Sequence, residues 1–314
     1  VGVFNRLMAA RAAPDGIEAK DHSELIIDLG PHLEDFIGEL FGIETEVSAL
    51  AANHHELAGL YQCKRLFVQR RAIKKVKRDV VNEIDGPTLE VKLTKMIGPF
   101  SELAFANAVN GWLEDEDANS DAIEIAEQFA GWATLSNMGR KRFASGVLFK
   151  APGKVDPMLL VPVKTVEKDG VRMLALGDEG HLRAREGFAL TDHGMDLTHA
   201  LDQANYCIFC HNQGKDSCAK GLVNRKEGGW QKSPFGVALA GCPLEEKISE
   251  MNKLKASGFV LAALGAITID NPMAAATGHR ICNDCMKSCI YQRQEPVNIP
   301  EIETRALKDV LDLP

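Results

Sequence analysis

Apolar residues recur at helical spacing through much of the first half of the chain. Between residues 21 and 45 they stand at positions i, i+3, i+4, i+7 and i+8, the spacing of one stripe along an amphipathic helix. The residues of this stripe are Leu33, Phe36, Ile37, Leu40 and Phe41. Similar spacing continues to about residue 135, so the pattern predicts a region built from helices.

The pattern changes near residue 146, where the chain becomes richer in β-prone residues. Two such runs flank an Asp-Gly pair at residues 169–170, and that pair between apolar runs is typical of a β-hairpin. We therefore predict a small hairpin near residues 158–176. Helical spacing returns at residues 196–206 and again from about residue 300 to 311.

These patterns predict a mainly α fold. A chain of 314 residues exceeds one comfortable hydrophobic core, which favours two domains. We place the boundary near residue 195. The first domain, residues 1–195, is predicted to be helical with the hairpin inside it, and the second domain occupies residues 196–314.

The charge balance argues against nucleic acid as the main partner. The chain has 36 lysines and arginines against 44 acidic residues, a net charge of −8. A basic run at residues 64–78 lacks the interleaved aromatic residues that stack on bases. We interpret this run as a solvated helix face or as a surface that meets an acidic partner, with the acidic run at residues 114–128 as a candidate.

No run of 18 apolar residues is present, so no membrane span is predicted. The start of the chain lacks the apolar centre of a secretory signal, and both ends look like those of a fragment cut from a longer protein. We therefore expect a cytoplasmic location. Cysteines stay reduced there, so clustered thiols are better candidates for metal ligands than for disulfides.

The cysteines are concentrated near the end of the chain. Of the eight cysteines, seven lie in the last 108 residues, and Cys63 stands apart. The seven form two runs of three with a single cysteine between them: Cys207, Cys210 and Cys218, then Cys242, then Cys282, Cys285 and Cys289. This asymmetry is the strongest organisational feature of the sequence.

Three kinds of chemistry compete for these thiols. A structural zinc site often uses two Cys-x2-Cys pairs about 15–20 residues apart, but here the pairs are about 70 residues apart and three cysteines would be left over. An odd number of thiols and a reducing compartment disfavour disulfides. Iron–sulfur clusters fit better, because each needs four ligands, usually thiolates. Seven thiolates are one short of two four-iron clusters, and His211, His279 and Cys63 are weak candidates for the eighth ligand.

Several short motifs are spread through the second domain. They are Cys242-Pro243, Asn271-Pro272, Thr277-Gly278, Arg280-Ile281-Cys282 and the run "PVNIPEIE" at residues 296–303. With these motifs, residues 200–314 resemble the N-terminal iron–sulfur domain of the glutamate synthase small subunit and dihydropyrimidine dehydrogenase family. That resemblance implies an alpha-helical ferredoxin-like fold for the second domain. Residues 1–195 resemble no family in this way.

The resemblance also implies two 4Fe-4S clusters with crossed ligands. The ligands of the first would be Cys207, Cys210, Cys218 and Cys289, and those of the second would be Cys242, Cys282, Cys285 and Glu303, which falls on the family's side-chain oxygen ligand. Metal binding and folding would then be one event. The chain departs from the family in its gaps, with seven residues before Cys218 and twenty-three before Cys242.

Two functions follow from these observations. In the first, the chain is the electron-transfer part of a larger flavin-dependent, NAD(P)H-linked oxidoreductase with a redox partner protein. FAD and NAD(P) would bind to a downstream domain or subunit, since no dinucleotide-binding glycine motif is present here. Four apolar residues beside the cysteines would shield the clusters: Ile208, Phe209, Ile281 and Ile290. In the second, the cysteines form only a metal staple in a module that docks a partner.

Overall fold

The computed structural model describes residues 2–160, 163–176 and 185–314, apart from the side chains of residues 176, 279 and 280. The fold is mainly helical with a small antiparallel hairpin, which confirms the predicted fold class. The α-helices of the described residues are α1 (Gly2–Ala12), α2 (Ala19–Phe41), α3 (Glu44–Glu56), α4 (Ala58–Cys63), α5 (Ile73–Lys75), α6 (Gly86–Ile97), α7 (Glu102–Trp112), α8 (Ser120–Leu135), α9 (Asn137–Arg142), α10 (Leu197–Tyr206), α11 (Ser217–Lys220), α12 (Ile248–Ala256), α13 (Val260–Asp270), α14 (Ala274–Ile281), α15 (Asp284–Ser288) and α16 (Ile299–Leu311).

Shorter helical segments connect some of these helices. A π-helix, Lys64–Ala72, joins α4 to α5, and 3-10 turns occur at Pro14–Gly16, Val81–Glu83 and Cys210–Gln213. Within the described ranges, no helix combines the length and the apolar character needed to cross a membrane.

The hairpin consists of β1 (Val163–Lys168) and β2 (Val171–Leu176), which pair antiparallel. Asp169 has a φ of 55° and Gly170 a φ of 77°, as a two-residue type I′ turn requires. The prediction of a hairpin in this region is therefore confirmed. Residues 161–162, inside the predicted bounds, lie outside the described part of the chain.

The first hydrophobic core lies among α4, the π-helix, α6, α7 and α8. Its centre is aromatic: the ring centroids of Phe105 and Phe129 are 5.9 Å apart, and Phe149 meets Phe129 edge-on at 5.5 Å. Cys63 is buried in this core, away from the other cysteines. Burial raises the pKa of its thiol to about 12, so Cys63 behaves as a small apolar residue.

The second hydrophobic core lies among α10, α12, α13 and α16. Its buried residues include Leu254 on α12, Ile267 on α13 and Ile302 on α16. Four of its members are cysteines: Cys207, Cys218, Cys285 and Cys289. Four of the seven thiols that the sequence singled out therefore belong to the interior of the second core, whereas Cys282 is exposed.

The two cores meet at α10. Leu201 on this helix is packed in the first core, whereas Ala204, one turn later, is packed in the second. Lys64 of the π-helix also donates to both carboxylate oxygens of Asp202 on α10, at 2.6 and 2.7 Å. The predicted domain boundary near residue 195 lies just before this helix and stays a prediction.

Helix α2 buries a different face from the one its apolar stripe would suggest. Four residues of the stripe are 39–69% exposed: Leu33, Phe36, Leu40 and Phe41. The buried face includes Leu25 but is otherwise small and polar, with Ser23, Gly30 and Glu34 packed toward α12 and α13. Glu34 accepts hydrogen bonds from the first backbone N–H groups of α13, those of Val260, Leu261 and Ala262, at 3.0–3.1 Å.

This contact explains why hydrophobic periodicity predicted helix α2 but not its buried face. The first N–H groups of a helix have no partner within the helix and need an external acceptor. Glu34 supplies that acceptor from another helix, so a carboxylate lies inside while the apolar stripe lies outside. The acceptor is needed by α13, which lies about 230 residues away in sequence. The sequence around Glu34 therefore does not predict this contact.

The close approach of α2 to α12 can be tested at Gly30. A Cβ atom there would collide with the side chain of Leu254 and lie 3.3 Å from the Cβ of Ala262. We expect Gly30→Val to lower the free energy of unfolding by about 1–3 kcal/mol, the usual cost of overpacking. The matched control is Gly111→Val on α7, where nothing lies within 4 Å of the added atom. Equal stabilities of the two variants in urea titrations would contradict this packing.

The basic run at residues 64–78 meets the acidic run within the chain. Arg71 pairs with Glu127 and, at 2.9 Å, with Glu116. Lys75 lies 2.6 Å from the other oxygen of Glu127, which is buried. The interpretation of this run as the partner of an internal acidic surface is confirmed for these two residues.

Candidate functional site

The loop after α10 positions the first two cysteines. Cys207 follows the last turn of α10, and its N–H donates to the carbonyl of Gln203 at 3.2 Å. Phe209 has a left-handed backbone with a φ of 53°, which turns the chain sharply before Cys210. The N–H of Phe209 donates to the Cys207 sulfur at 3.4 Å. Residues 207–210 therefore form a tight Cys-x-x-Cys loop.

A long loop, residues 219–241, connects the next two cysteines, Cys218 and Cys242. Cys218 lies in α11, and the N–H of Cys242 donates to its carbonyl at 2.8 Å. Gly241 has a φ of 86°, and a side chain there would collide with the backbone of Ala219. The two ends of the 219–241 loop lie close together, so the length of the loop does not separate Cys218 from Cys242.

Four cysteines converge into what we call the first thiol group: Cys207, Cys210, Cys218 and Cys289. The Cys218 thiol and the Cys289 sulfur share a hydrogen bond, which lowers the pKa of Cys289 to about 7. Burial, with a smaller contribution from the neighbouring Cys289, raises the pKa of Cys207 to about 12 and that of Cys210 to about 11. The structure therefore brings together the four sulfurs assigned to one cluster.

The second set, which we call the second thiol group, comprises Cys242, Cys282, Cys285 and Glu303. Burial raises the pKa of Cys285, and electrostatic interactions with Glu303, Cys242 and Cys282 contribute to the rise. Cys242 is half-buried and Cys282 is exposed, with its sulfur 3.5 Å from a carboxylate oxygen of Asp284. The predicted oxygen donor, Glu303, thus lies beside the thiols, and its role as a ligand stays a prediction.

Glu303 has a carboxylate neighbour that sequence reasoning missed. Glu246 is 5% exposed and Glu303 is 7% exposed, and the two side chains share a hydrogen bond. Burial raises the pKa of Glu303 to about 9, and the charge of Glu246 contributes to the rise. The two carboxyl groups therefore share a proton at neutral pH. The position of Glu246, four residues after Cys242, was the available sequence signal.

Asn252 is a second residue that the sequence did not reveal. Its side chain is fully buried in α12 and lies against the Cys207 sulfur. Its amide has no conventional hydrogen-bond partner among the described residues. Because its contact with the Cys207 sulfur leaves other hydrogen-bonding capacity of the buried amide unused, this group is available to a ligand of the first thiol group.

Two histidines were considered as ligands. One of them has a hydroxyl partner, and the side chain of the other is not described. The Nδ1 atom of His211 lies 2.6 Å from the Ser249 hydroxyl, inside a buried contact with α12. Burial lowers the pKa of His211. The side chain of His279 lies outside the described part of the structure.

The fold and the site define a class: a mainly helical, thiol-rich protein with two neighbouring groups of buried donors. The chain is 33% identical over 264 residues to the protein named "Uncharacterized protein RP005" of Rickettsia prowazekii (strain Madrid E), covering 80% of this chain and 86% of that protein. The chain belongs to the RP005 family.

Two narrower similarities concern about 42 residues each. Residues 1–42 match the family model described as RP005 N-terminal alpha-helical domain. Over 42 residues the chain is also 69% identical to "Uncharacterized protein RP006" of the same organism, covering 13% of this chain and 6% of that protein. No solved structure matches the chain.

The resemblance to the iron–sulfur domain of the glutamate synthase small subunit family is therefore wrong. The chain belongs to the RP005 family, and across residues 2–160, 163–176 and 185–314 no group of three or more His, Cys, Asp or Glu side chains has the arrangement of a metal-ion site. Cys-x-x-Cys, Asn-Pro and Thr-Gly are short enough to recur by chance. The gaps before Cys218 and Cys242 had already departed from that family's pattern.

Proposed function

We propose that the two thiol groups bind iron–sulfur clusters and that the chain transfers electrons through them. The observation that carries this proposal is the convergence of seven thiols and one carboxyl group, spread over residues 207–303, into two adjacent sets of four. Two sets of four donors match the ligand demand of two four-iron clusters. The proposal depends on this placement and not on a family resemblance.

The spacing that the donor atoms need differs between a single zinc ion and an iron–sulfur cluster. A single zinc ion needs all its sulfur donors about 2.3 Å from one point. A cluster binds each thiolate through a different iron, so its donors stand further apart. The lack of a tight single-ion arrangement among the described residues is therefore compatible with clusters.

The protonation of the thiols fits a site that loads metal. Burial raises the pKa of Cys207, Cys210 and Cys285, so these groups are neutral thiols when no metal is bound. Metal binding must displace their protons, and the positive charge of the metal would then compensate the negative charge of the buried thiolates. Free thiols suit a reducing compartment, so we propose a cytoplasmic location as well.

A redox partner would approach the exposed side of the cysteine region. Two of the apolar residues predicted to shield the clusters face solvent instead, Ile281 at 71% and Ile290 at 53% exposure. Together with the exposed Cys282 they offer an apolar contact surface. The expectation of a downstream FAD and NAD(P) domain depended on the corrected resemblance, and we do not extend the proposal to it.

The proposal is tested by the metal content of the full chain. The protein is prepared without oxygen, incubated with ferrous iron, sulfide and a thiol reductant, and desalted before iron, acid-labile sulfide and zinc are measured. We expect about eight irons and eight sulfides per chain, and a paramagnetic signal after reduction.

Two outcomes would reject electron transfer. Iron near zero after this treatment would remove the clusters. Tightly bound zinc, without iron or redox activity, would instead favour the alternative function, a metal staple that stabilises a partner-docking module. The observation that favours this alternative is the placement of candidate ligands on both sides of the 219–241 loop.

A further inference from the structure

A cavity of about 1150 Å³ lies between the two hydrophobic cores, next to the first thiol group. Its walls come from the π-helix, the chain after α9, α10 and the loop after Cys289. Ligand sites for small molecules are concave and usually enclose about 300–1,000 Å³, so this cavity has room for a sizeable ligand and water.

The cavity is basic although the chain as a whole is acidic. Six lysines and arginines line it: Lys64, Arg78, Arg140, Lys150, Lys154 and Arg293. Only two acidic residues do so, Asp202 and Glu295, and Asp202 is occupied by its ion pair with Lys64. On a chain with a net charge of −8, this local excess of positive charge favours an anionic ligand.

Five of these cations are free to bind an external anion. The side chains of Arg78, Arg140, Lys150, Lys154 and Arg293 make no ion pair or hydrogen bond to any residue in the described ranges. Their neighbours Arg71, Lys75 and Arg142, in contrast, are paired with carboxylates. Five cations without an ion pair to the described residues therefore share the cavity wall, where phosphate oxygens would find several donors at once.

Aromatic rings lie in the same walls. Phe143, Phe149, Tyr206 and Tyr291 line the cavity. Tyr206 and Tyr291 are stacked with their centroids 4.6 Å apart, and the pair also packs against the core that contains Cys207 and Cys289. The buried hydroxyl of Tyr206 has no hydrogen-bond partner among the described residues. Rings beside unpaired cations suit a ligand that has both an aromatic base and phosphates.

We propose that this cavity binds a nucleotide, with its phosphates on the arginines and lysines and its base against the aromatic wall. An acidic peptide would satisfy the cations but would leave the rings without a matching group. The assignment stands on the cavity, its charge and its rings, and does not depend on metal in the thiol groups. It adds a small-molecule site to the chain, next to the first thiol group.

The test is calorimetric titration of the full chain with ATP, adenosine and inorganic pyrophosphate. We expect ATP to bind with a Kd below about 1 mM, and adenosine and pyrophosphate each to bind at least about tenfold more weakly. Pyrophosphate as tight as ATP would reduce the cavity to a phosphate site and overturn the nucleotide assignment. A single-stranded oligonucleotide that binds at least about tenfold more tightly than ATP would also overturn it, in favour of a nucleic-acid surface.

The location of the site is tested with a pair of charge-reversed variants. Arg140→Glu with Arg293→Glu changes exposed residues on two walls of the cavity, and we expect at least a tenfold loss of ATP affinity. Lys92→Glu with Lys95→Glu makes the same change of charge on the exposed face of α6, outside the cavity, and should leave the affinity within about twofold. Equal affinities for the two variants would refute binding in the cavity.

Discussion

Replacing Asp309 with asparagine is expected to lower the free energy of unfolding by about 3–5 kcal/mol. Asp309 on α16 is 1% exposed and pairs with Lys255 of α12, whose side chain is fully buried. Arg305 also contacts the carboxylate, at 2.5 Å. Without the carboxylate, the buried ammonium of Lys255 would lose its counter-ion, and a buried charge without a partner is strongly destabilising.

The remaining hydrogen-bond partner of Lys255 does not replace the lost carboxylate. Its other partner is Nε2 of His54 on α3, at 2.9 Å, and the opposite ring nitrogen lies 2.8 Å from the carbonyl of Leu50. Burial and then the charge of Lys255 lower the pKa of His54 to about 4, so the ring is neutral at pH 7. A neutral ring accepts a hydrogen bond but does not balance a positive charge.

The measurement is urea unfolding followed by circular dichroism at pH 7. Asp28→Asn is the matched control, because Asp28 makes an ion pair with Arg6 in which both side chains are more than 40% exposed. Exposed pairs contribute about 0–1 kcal/mol. A loss below about 1 kcal/mol for Asp309→Asn would mean that the buried network does not hold α3, α12 and α16 together. Adding Lys255→Met to Asp309→Leu should recover much of the loss.

Exchanging single cysteines in the loop around α15 should remove one cluster at a time. Cys285 and Cys289 are four residues apart, yet Cys285 interacts with Cys242 and Glu303 while Cys289 interacts with Cys218, Cys207 and Cys210. We expect Cys285→Ala and Cys289→Ala each to lose about half of the bound iron, and to leave clusters with different spectra, because each variant empties a different thiol group.

The control for this pair is Cys63→Ala. Cys63 is buried in the first hydrophobic core and belongs to neither thiol group, so its removal should leave the iron content unchanged. Iron, sulfide and low-temperature paramagnetic resonance spectra of the three anaerobically reconstituted variants provide the measurement. Identical residual spectra for Cys285→Ala and Cys289→Ala would contradict the crossed arrangement even if iron is bound.

Much of the secondary structure could be predicted because it depends on near neighbours in sequence. The turn between the two strands requires left-handed backbone angles, which the Asp-Gly pair at residues 169–170 adopts, and the hairpin forms around this turn. The helix predicted at 196–206 was found at Leu197–Tyr206, where Asp196 accepts a hydrogen bond from the N–H of His199 as its cap. Spacing of apolar residues and capping chemistry were enough for these elements.

The gathering of the cysteines was predicted in part. Two Cys-x-x-Cys motifs indicated two local loops, and the assignment of Cys289 to the first set came only with a resemblance that is wrong. The structure nevertheless places Cys289 beside Cys218. Glu246 and Asn252 were not predicted, because a lone acid after Cys242 and a lone amide on α12 look like ordinary surface residues in a sequence.

By itself the sequence determined a mainly helical chain, a hairpin at one Asp-Gly turn and a thiol-rich second half, since these follow from periodicity, turn chemistry and composition. Only the tertiary structure decided which faces are buried and which charges meet. Helix α2 leaves its apolar stripe exposed because Glu34 caps a helix about 230 residues away, and Lys255 is buried because Asp309 lies opposite it. Such partners are set by packing between distant segments, and packing has no local signature in the chain.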